Sequence, residues 1–229
     1  MSKRYAIYFA PGFDTALWQF GCSAIGYDAS SGNSIPLPRH PAYDHPDART
    51  WVSEPARYGF HATLKAPFEL ADGLGEQDLL DAAASFARQR TAFLIPALTV
   101  RLIGQFLALA PSEPSARLNE LADDCVTVFE PFRAPLSAND LRRRLKAPLT
   151  PRQITHLDRW GYPYVFDDFR FHMTLTGALD DVVTPQLTNA LDALYRPLAG
   201  PVPIDGLAIF RQNDRAGNFR MLERFRFSG

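Results

Sequence analysis

The sequence predicts an α+β fold of two pseudo-symmetric lobes, each with an antiparallel sheet and helices, around a central cleft. The order strand, helix, hairpin occurs twice, as expected when two similar units pack side by side. Each copy opens with the same pattern, Phe-His-x-Thr-Leu, at residues 60–64 and 171–175. A chain of 229 residues is within the length range of one domain. We therefore expect one domain over 1–229: an N-terminal lobe over about 1–130, an insertion over 131–168 and a C-terminal lobe over 169–229.

Local patterns predict the elements of the first copy. An apolar run at 5–9 predicts the opening strand, and a stretch rich in proline, serine, aspartate and histidine over 30–56 predicts an ordered loop. Residues 58–69 alternate between apolar and polar side chains, which is typical of a strand with one polar face. The remaining elements are a helix over 76–90, strands over 97–101 and 105–109 around Gly104, and a helix over 114–128.

The insertion and the second copy follow. Short helical pieces are expected in the insertion, one with a basic run at 142–146 and one that begins with Thr150 as N-cap and Pro151 at the first helical position. The second copy then consists of a strand over 169–176, a helix over 184–195, a strand over 202–210 and a closing strand over 218–227.

Composition argues against several classes of protein. A net charge of −1 does not favour nucleic acid as a partner, because non-specific phosphate binding needs many cations, but a small phosphorylated substrate in a local pocket fits. Cys22 and Cys125 match neither a metal-binding spacing nor a disulfide framework, so we expect thiols in a reducing cytoplasm. The start of the chain lacks a signal-peptide pattern and no run of 18 apolar residues occurs, so we expect a cytoplasmic location and no membrane partner.

The repeated motif places an imidazole and a hydroxyl together on each of two strands. Because side chains alternate along a strand, His61 and Thr63 share one face, as do His172 and Thr174. Hydrolysis of a phosphate ester needs one group to take a proton and another to give one, and histidine can do either near neutral pH. Threonine hydroxyls can donate to phosphate oxygens that gain charge. The motif predicts that these four residues are catalytic; hydrogen-bonded structural residues are the alternative.

The paired His-x-Thr-Leu strands resemble the two-histidine (2H) phosphoesterase superfamily, which includes cyclic nucleotide phosphodiesterases and RNA 2′–5′ ligase-like proteins. Both motifs match that family's pattern, His-x-Ser/Thr followed by an apolar residue. The flanks of the first motif, residues 57–68, and the arginine-rich insertion look like a bacterial branch associated with phosphonate-utilisation operons. The resemblance implies a metal-independent cyclic phosphodiesterase without a cofactor, with a cyclic nucleotide or ribosyl cyclic phosphate as substrate.

Other residues are candidates for substrate binding. By alternation, Lys65 and Arg170 lie on the motif faces and could contact a phosphate, with a solvated or ion-paired side chain as the alternative. Tyr58 could stack on a base or sugar, although core packing is the commoner role. The basic run at 142–146 is either a solvated helix face or a substrate lid. Three arginines of the closing strand would meet the anion if their face lined the cleft: Arg220, Arg224 and Arg226.

Two other functions and a metal site are alternatives to metal-free hydrolysis. The motifs lack H-E-x-x-H or C-x-x-C spacing, so no metal is expected. Asp167 and Asp168 near the second motif leave a metal site as the disfavoured alternative. Nucleotide or RNA binding without turnover is disfavoured because binding needs no pair of titrating groups. Ligation of RNA ends is disfavoured by the low net charge. The sequence does not determine the exact substrate, which histidine is the base, or the oligomeric state.

Overall fold

A computed structural model describes residues 3–228, which form both helices and strands. The strands in this range are β1 (Arg4–Phe9), β2 (Tyr27–Asp28), β3 (Asn33–Ser34), β4 (Ala62–Phe68), β5 (Phe93–Ile95), β6 (Leu98–Ile103), β7 (Phe106–Pro111), β8 (Met173–Thr174), β9 (Val202–Ile204), β10 (Gly206–Gln212) and β11 (Arg220–Arg226). The α-helices are α1 (Ala16–Ile25), α2 (Ala48–Tyr58), α3 (Glu76–Arg88), α4 (Ala116–Val128), α5 (Ala138–Arg144), α6 (Pro151–Trp160) and α7 (Val183–Tyr195).

A seven-stranded antiparallel sheet organises the fold. Its order is β11-β10-β1-β4-β8-β7-β6, and β2–β3 and β5–β9 form separate two-stranded pairs. Strands β4 and β8, which carry the two copies of the repeated motif, are neighbours, with Ala62 opposite Met173. The predicted α+β class with antiparallel strands is confirmed.

The strand order interleaves the two copies. Hairpin β10–β11, from the C-terminal segment, pairs with β1, whereas hairpin β6–β7, from the N-terminal segment, pairs with β8. Each half of the sheet therefore contains strands from both sides of the insertion. The predicted boundaries at residues 130 and 169 divide the sequence but do not coincide with a division of the sheet.

Helices pack against the sheet through their apolar faces. Helix α3 contacts β10 and β11, α4 contacts β4, and α7 contacts β6. In α4 the buried residues recur at helical spacing: Leu118, Leu121, Ala122, Cys125 and Val126. Both cysteines are free and buried. Among the described residues, none of the helices has the length and apolar character needed to cross a membrane.

The start of α6 confirms the expected cap. The Thr150 hydroxyl accepts a hydrogen bond from the Gln153 backbone N–H at 3.3 Å, and the Gln153 side chain accepts from the Thr150 N–H at 3.0 Å. Pro151 stands at the first helical position, where a missing N–H costs nothing.

Helix α1 lies where the sequence predicted no element. It packs so closely behind the first motif that a Cβ on Gly21 would lie 2.1 Å from the ring of Phe60. Phe60 is fully buried and precedes His61. The glycine therefore sets how closely α1 approaches the motif.

Helix α2 corrects the prediction of a loop over 30–56. It contains Pro55, which cannot donate a backbone hydrogen bond and so leaves the carbonyl four residues earlier without its usual partner. That carbonyl belongs to Trp51, and it accepts a hydrogen bond from the Gly177 N–H at 2.6 Å instead. Because Gly177 follows the second motif, this bond ties α2 to the chain just after β8.

The second motif strand is shorter than the predicted strand over 169–176. Beyond β8, the N–H groups of Leu175 and Thr176 both donate to the Leu107 carbonyl, at 2.8 and 3.2 Å. The Thr176 hydroxyl accepts from the Leu107 N–H at 2.9 Å. The motif is thus held against β7 by irregular bonds, not by a long ladder. The predicted strand over 202–210 is likewise divided between β9 and β10.

Candidate active site

The two copies of the motif meet at the centre of the sheet. Because Ala62 pairs with Met173 in antiparallel register, His61 lies opposite Thr174 and Thr63 lies opposite His172. Along a strand, the residues just before and just after a paired residue point to the same face of the sheet. The side chains of the two histidines and two threonines of the motifs therefore share one face. His61 and His172 are diagonal neighbours in this register, and the Cα atoms of such residues are about 7–8 Å apart. The two motifs, distant in sequence, are therefore neighbours in space.

The imidazole of His61 is held on three sides. Its Nδ1 lies 2.8 Å from the Gly59 carbonyl, which can only accept, so Nδ1 carries the proton and donates. Its Nε2 lies 3.2 Å from the Thr63 hydroxyl oxygen. The ring stacks on Tyr8 with centroids 3.6 Å apart and planes at 19°. In the neutral ring, Nε2 is therefore the basic atom.

The imidazole of His172 repeats this arrangement. Its Nδ1 donates to the Arg170 carbonyl at 2.8 Å, again the residue two positions earlier. Its ring lies 5.7 Å from that of Phe106 in a tilted contact. Each motif thus uses its own backbone to select the tautomer with the proton on Nδ1. Both rings keep Nε2 for proton transfer.

Burial lowers the pKa of both imidazoles. For His61, removal from water lowers the pKa from 6.5 to about 4, the bond to the Gly59 carbonyl opposes the shift, and the nearby His172 adds to it. For His172, burial again lowers the pKa, the bond to the Arg170 carbonyl opposes the shift, and the Arg170 charge adds to it. Both rings are therefore neutral at pH 7 without a ligand. An anion between them would favour their protonated forms.

Two adjoining cavities form a cleft over the motif face. One, of about 800 Å³, is lined by His61, Thr63 and Thr174, and the other, of about 630 Å³, by Thr63 and His172. Both also share walls from the β6–β7 turn and from residues 162–164. Each imidazole therefore borders the cleft, and joint contact of both with one substrate stays a prediction. Such volumes are typical of small-molecule sites.

Two predicted binding residues line this cleft. Tyr58 lines the larger cavity while its ring stacks on Phe219, with centroids 5.4 Å apart. Arg170 is exposed and lines the smaller cavity beside His172. The structure therefore brings both to the motif face, and their contact with a substrate stays a prediction.

Lys65 does not face the cleft, contrary to the alternation argument. The pairing of β1 with β4 shifts register between Tyr8 and Ile7, where Thr63 and Lys65 are the successive partners. Such a bulge breaks the alternation and sends the next side chain to the other face. Lys65 is 4% exposed, and its ammonium donates to the Val126 carbonyl at 2.9 Å and to Glu130 at 2.7 Å. It is a buried ion-pair residue, so the prediction of a phosphate contact is wrong.

The arginines of the closing strand are also placed away from the cleft. Arg220 donates to the Ser31 carbonyl at 2.7 Å, and Arg224 donates to the Ala10 carbonyl at 2.9 Å and pairs with Asp205. Arg226 lines a separate cavity. None of the three lines either cavity of the cleft.

Other arginines line the larger cavity instead. The basic run at 142–146 is divided: Arg143 and Arg144 line the cavity, whereas Arg142 is exposed and bonds to Asn139. Sequence reasoning missed Arg4, which enters the cleft from β1 and hydrogen-bonds to Gln212. The one available signal was the alternation of side chains along β1, which places Arg4 on the same face as Tyr8.

Asp167 and Asp168, the candidate ligands of a metal site, lie next to an arginine instead. Asp168 accepts hydrogen bonds from Arg152 at 2.9 and 3.0 Å, and Asp167 lies 3.7 Å from the same guanidinium. Within residues 3–228, no group of three or more His, Cys, Asp or Glu side chains is placed to hold a metal ion. Metal-independent catalysis stays a prediction.

Two curated relatives match almost the whole chain, and both are named Ribose 1,5-bisphosphate phosphokinase PhnN. The relative from Janthinobacterium sp. (strain Marseille) is 38% identical over 231 residues, which covers 99% of this chain and 51% of the relative. The one from Laribacter hongkongensis (strain HLHK9) is 35% identical over 223 residues, which covers 95% of this chain and 50% of the relative. The chain spans about half the length of these relatives.

Two solved structures are similar to the chain at low sequence identity. E. coli LigT complexed with 3′-AMP has a TM-score of 0.49 and 13% identity, with both chains fully covered. The protein TT0787 of Thermus thermophilus has a TM-score of 0.46 and 16% identity, covering 100% of this chain and 99% of that one. At these values the function must be argued from the chain's own site. A family model described as "Protein of unknown function (DUF1045)" matches residues 63–220, more than half of the chain, which therefore belongs to that family.

Proposed function

We propose that the chain is a phosphodiesterase that hydrolyses a cyclic phosphodiester by acid–base catalysis with His61 and His172. The observation that carries the proposal is the pairing of Ala62 with Met173, which puts two imidazoles and two hydroxyls on one face of the sheet. A site that only binds needs no second titrating group. Hydrolysis needs two, because a proton leaves the attacking oxygen and another joins the departing oxygen.

In the proposed reaction, water attacks phosphorus while Nε2 of one neutral imidazole takes its proton. The bond between phosphorus and a sugar oxygen breaks, and the other, protonated imidazole gives that oxygen its proton. The product is a phosphomonoester with a free hydroxyl. The hydroxyls of Thr63 and Thr174 donate hydrogen bonds to the non-bridging oxygens. The bonds from Nδ1 to the backbone leave the lone pair of each neutral ring on Nε2, and the Thr63 hydroxyl next to Nε2 of His61 turns to the phosphate when substrate binds.

The negative charge of the bound substrate favours protonation of one imidazole. Burial keeps both rings neutral at pH 7, whereas catalysis needs one of them charged. A phosphodiester anion within a few ångströms of an imidazole raises the pKa of that ring. Binding therefore draws a proton into the cleft, and the ring that receives it serves as the acid.

We infer a ribosyl cyclic phosphate as the substrate class, with a cyclic nucleotide as the alternative. Support comes from the name of the two curated relatives, which refers to a ribose bisphosphate, and from a cleft of the size that suits a sugar phosphate. Those relatives are about twice as long, so their named activity is not carried over to this chain. A place in phosphonate utilisation and a cytoplasmic location belong to the same proposal.

The test is turnover of cyclic phosphates followed by phosphorus NMR. Ribose 1,2-cyclic phosphate and 2′,3′-cyclic nucleotides should be opened to phosphomonoesters by the wild-type protein. His61→Ala and His172→Ala should each lose roughly 10²–10⁴-fold in rate, and the double variant should be little worse because the two rings act as a unit. His45→Ala, which changes an exposed histidine outside the cleft, is the matched control. Near wild-type rates in both folded single variants would show that the motif is structural.

A further inference from the structure

Four arginines line the larger cavity alongside His61, and one of them, Arg143, pairs with Asp140. Hydrolysis of a cyclic diester assigns no role to the other three. Arg4 comes from β1, Arg57 from the last turn of α2, and Arg144 from the last turn of α5. Elements distant in sequence thus bring guanidinium groups to one end of the cleft. Tyr58 and Tyr162 line the same end.

These three guanidinium groups are not in direct ion pairs in the described structure, although the nearby Asp140 charge favours the protonated forms of Arg4 and Arg144. Across the described part of the chain, Arg4, Arg57 and Arg144 form no ion pair with an acidic side chain. The Nε atoms of Arg57 and Arg144 are buried without a hydrogen-bond partner. Charge removed from water is costly unless it is paired. Arg4 is buried and Arg57 and Arg144 are half-buried, so together they favour binding of an anion at this place.

The acidic side chains nearby are engaged by other arginines. Asp140 lies 3.0 Å from Arg143 and 2.7 Å from Arg215, and Glu69 accepts from Arg215 at 2.6 Å. Glu54 is exposed and lines the same cavity, but it forms no ion pair with the cluster in the described structure. Burial lowers the pKa of Arg144, the charges of Arg143 and Arg4 add to the shift, and Tyr162 and Asp140 oppose it. This end of the cleft therefore has an excess of positive charge.

Two of the guanidinium groups are fixed in place. Arg4 donates to the Gln212 side chain through Nε at 2.8 Å, and Gln212 in turn donates to the Gly217 carbonyl at 2.6 Å. Arg144 lies over the ring of Tyr162, 5.1 Å from its centroid. Guanidinium groups held in advance lose little freedom when they bind an oxyanion, and their planar array of donors matches phosphate geometry.

We propose that this end of the cleft binds a phosphomonoester group of the same substrate whose cyclic diester lies between His61 and His172. The inference rests on the proposed function and names the substrate class more closely: a sugar that carries a cyclic phosphate and a second, terminal phosphate. On β1, Tyr8 covers His61 and Arg4 stands four residues away, about 13 Å between Cα atoms in an extended strand.

The first test compares substrates that differ only in the terminal phosphate. A ribosyl cyclic phosphate is assayed with and without a phosphate on its 5-hydroxyl, and the ratio of the two kcat/KM values is the readout. The wild-type ratio should exceed about tenfold, and Arg144→Met and Arg57→Met should each reduce it about tenfold or more, the effect of losing a charge-assisted contact. Arg142→Met, an exposed arginine of the same helix as Arg144, should keep the wild-type ratio. A wild-type ratio near one, or ratios unaffected by both cleft variants, would overturn the proposal.

A binding measurement separates this proposal from the failure of hydrolysis. Ribose 5-phosphate has no diester, so its affinity by calorimetry reports the arginine cluster even if no cyclic phosphate is turned over. Its Kd should rise about tenfold or more in Arg144→Met relative to Arg142→Met, with folding of each variant checked by circular dichroism. Arg57→Met replaces Arg144→Met if the latter does not fold. Equal Kd values in cleft and control variants would overturn the second subsite whatever the outcome for turnover.

Discussion

Acid should destabilise the folded chain through His61. Its pKa is about 4 in the folded protein and 6.5 when exposed to water, because the ring is buried. Between these two values the unfolded chain binds a proton that the folded ring does not, so the free energy of unfolding falls as the pH drops from 6.5 towards 4. Above pH 6.5 the ring is neutral in both states and contributes nothing. The shift corresponds to a loss of about 3 kcal/mol at the acid end.

Urea unfolding at a series of pH values from about 4.5 to about 7.5 measures this loss. His61→Gln removes the titrating ring, so its free energy of unfolding should fall less steeply with acid than that of the wild type, by about 2–3 kcal/mol over the range. His45→Gln, which removes a half-exposed histidine, controls for the loss of one titrating side chain. Parallel curves for His61→Gln and the wild type would refute the argument that burial keeps this ring neutral.

Activity and stability offer four further checks. The profile of kcat/KM against pH should be bell-shaped, because one imidazole must be neutral and the other charged. Its maximum should lie below pH 6.5, because burial lowers the pKa of both rings. A maximum above about pH 7 would contradict this expectation. Thr63→Val and Thr174→Val should fold normally, as circular dichroism can verify, and lose less activity than the roughly 10²–10⁴-fold expected for the histidines. Turnover should survive exhaustive chelation; loss that zinc or manganese restores would make the histidines ligands. Lys65→Met should lower the free energy of unfolding by about 1–3 kcal/mol in urea, because it leaves Glu130 without one of its partners.

The parts of the site that follow from local sequence could be predicted. His61 and Thr63 are two positions apart, and so are His172 and Thr174, which is enough to place each pair on one face of a strand. The repetition of one pattern in two segments also indicated two similar units packed side by side, and the two motif strands do pair through Ala62 and Met173. Short-range periodicity carried this information.

The parts that depend on register and long-range pairing could not be predicted. A bulge between β1 and β4 turned Lys65 away from the cleft, and no local pattern signals which residue a bulge inserts. Arg4 joins the cleft because β1 lies beside β10, whose Gln212 orients it from 208 positions away. Helix α2 was missed because Pro55 argues against a helix, and the hydrogen bond from Gly177 that uses the freed carbonyl comes from another part of the chain.

The interleaving of strands has a consequence for how the chain reaches its folded state. Strand β1 gains one neighbour, β4, early in the chain but must wait for β10, about 200 residues later, to complete its pairing. Contacts between residues so distant in sequence form only after a large loop has closed, and closing that loop costs chain entropy before the contacts stabilise the fold. This slows folding. During synthesis, the first motif strand β4 can pair with β1 early, but its other neighbour, β8, is made only after the insertion. A chain cut between α5 and α6 should yield two fragments that fold only together, because each lacks strands that the other's strands need as partners.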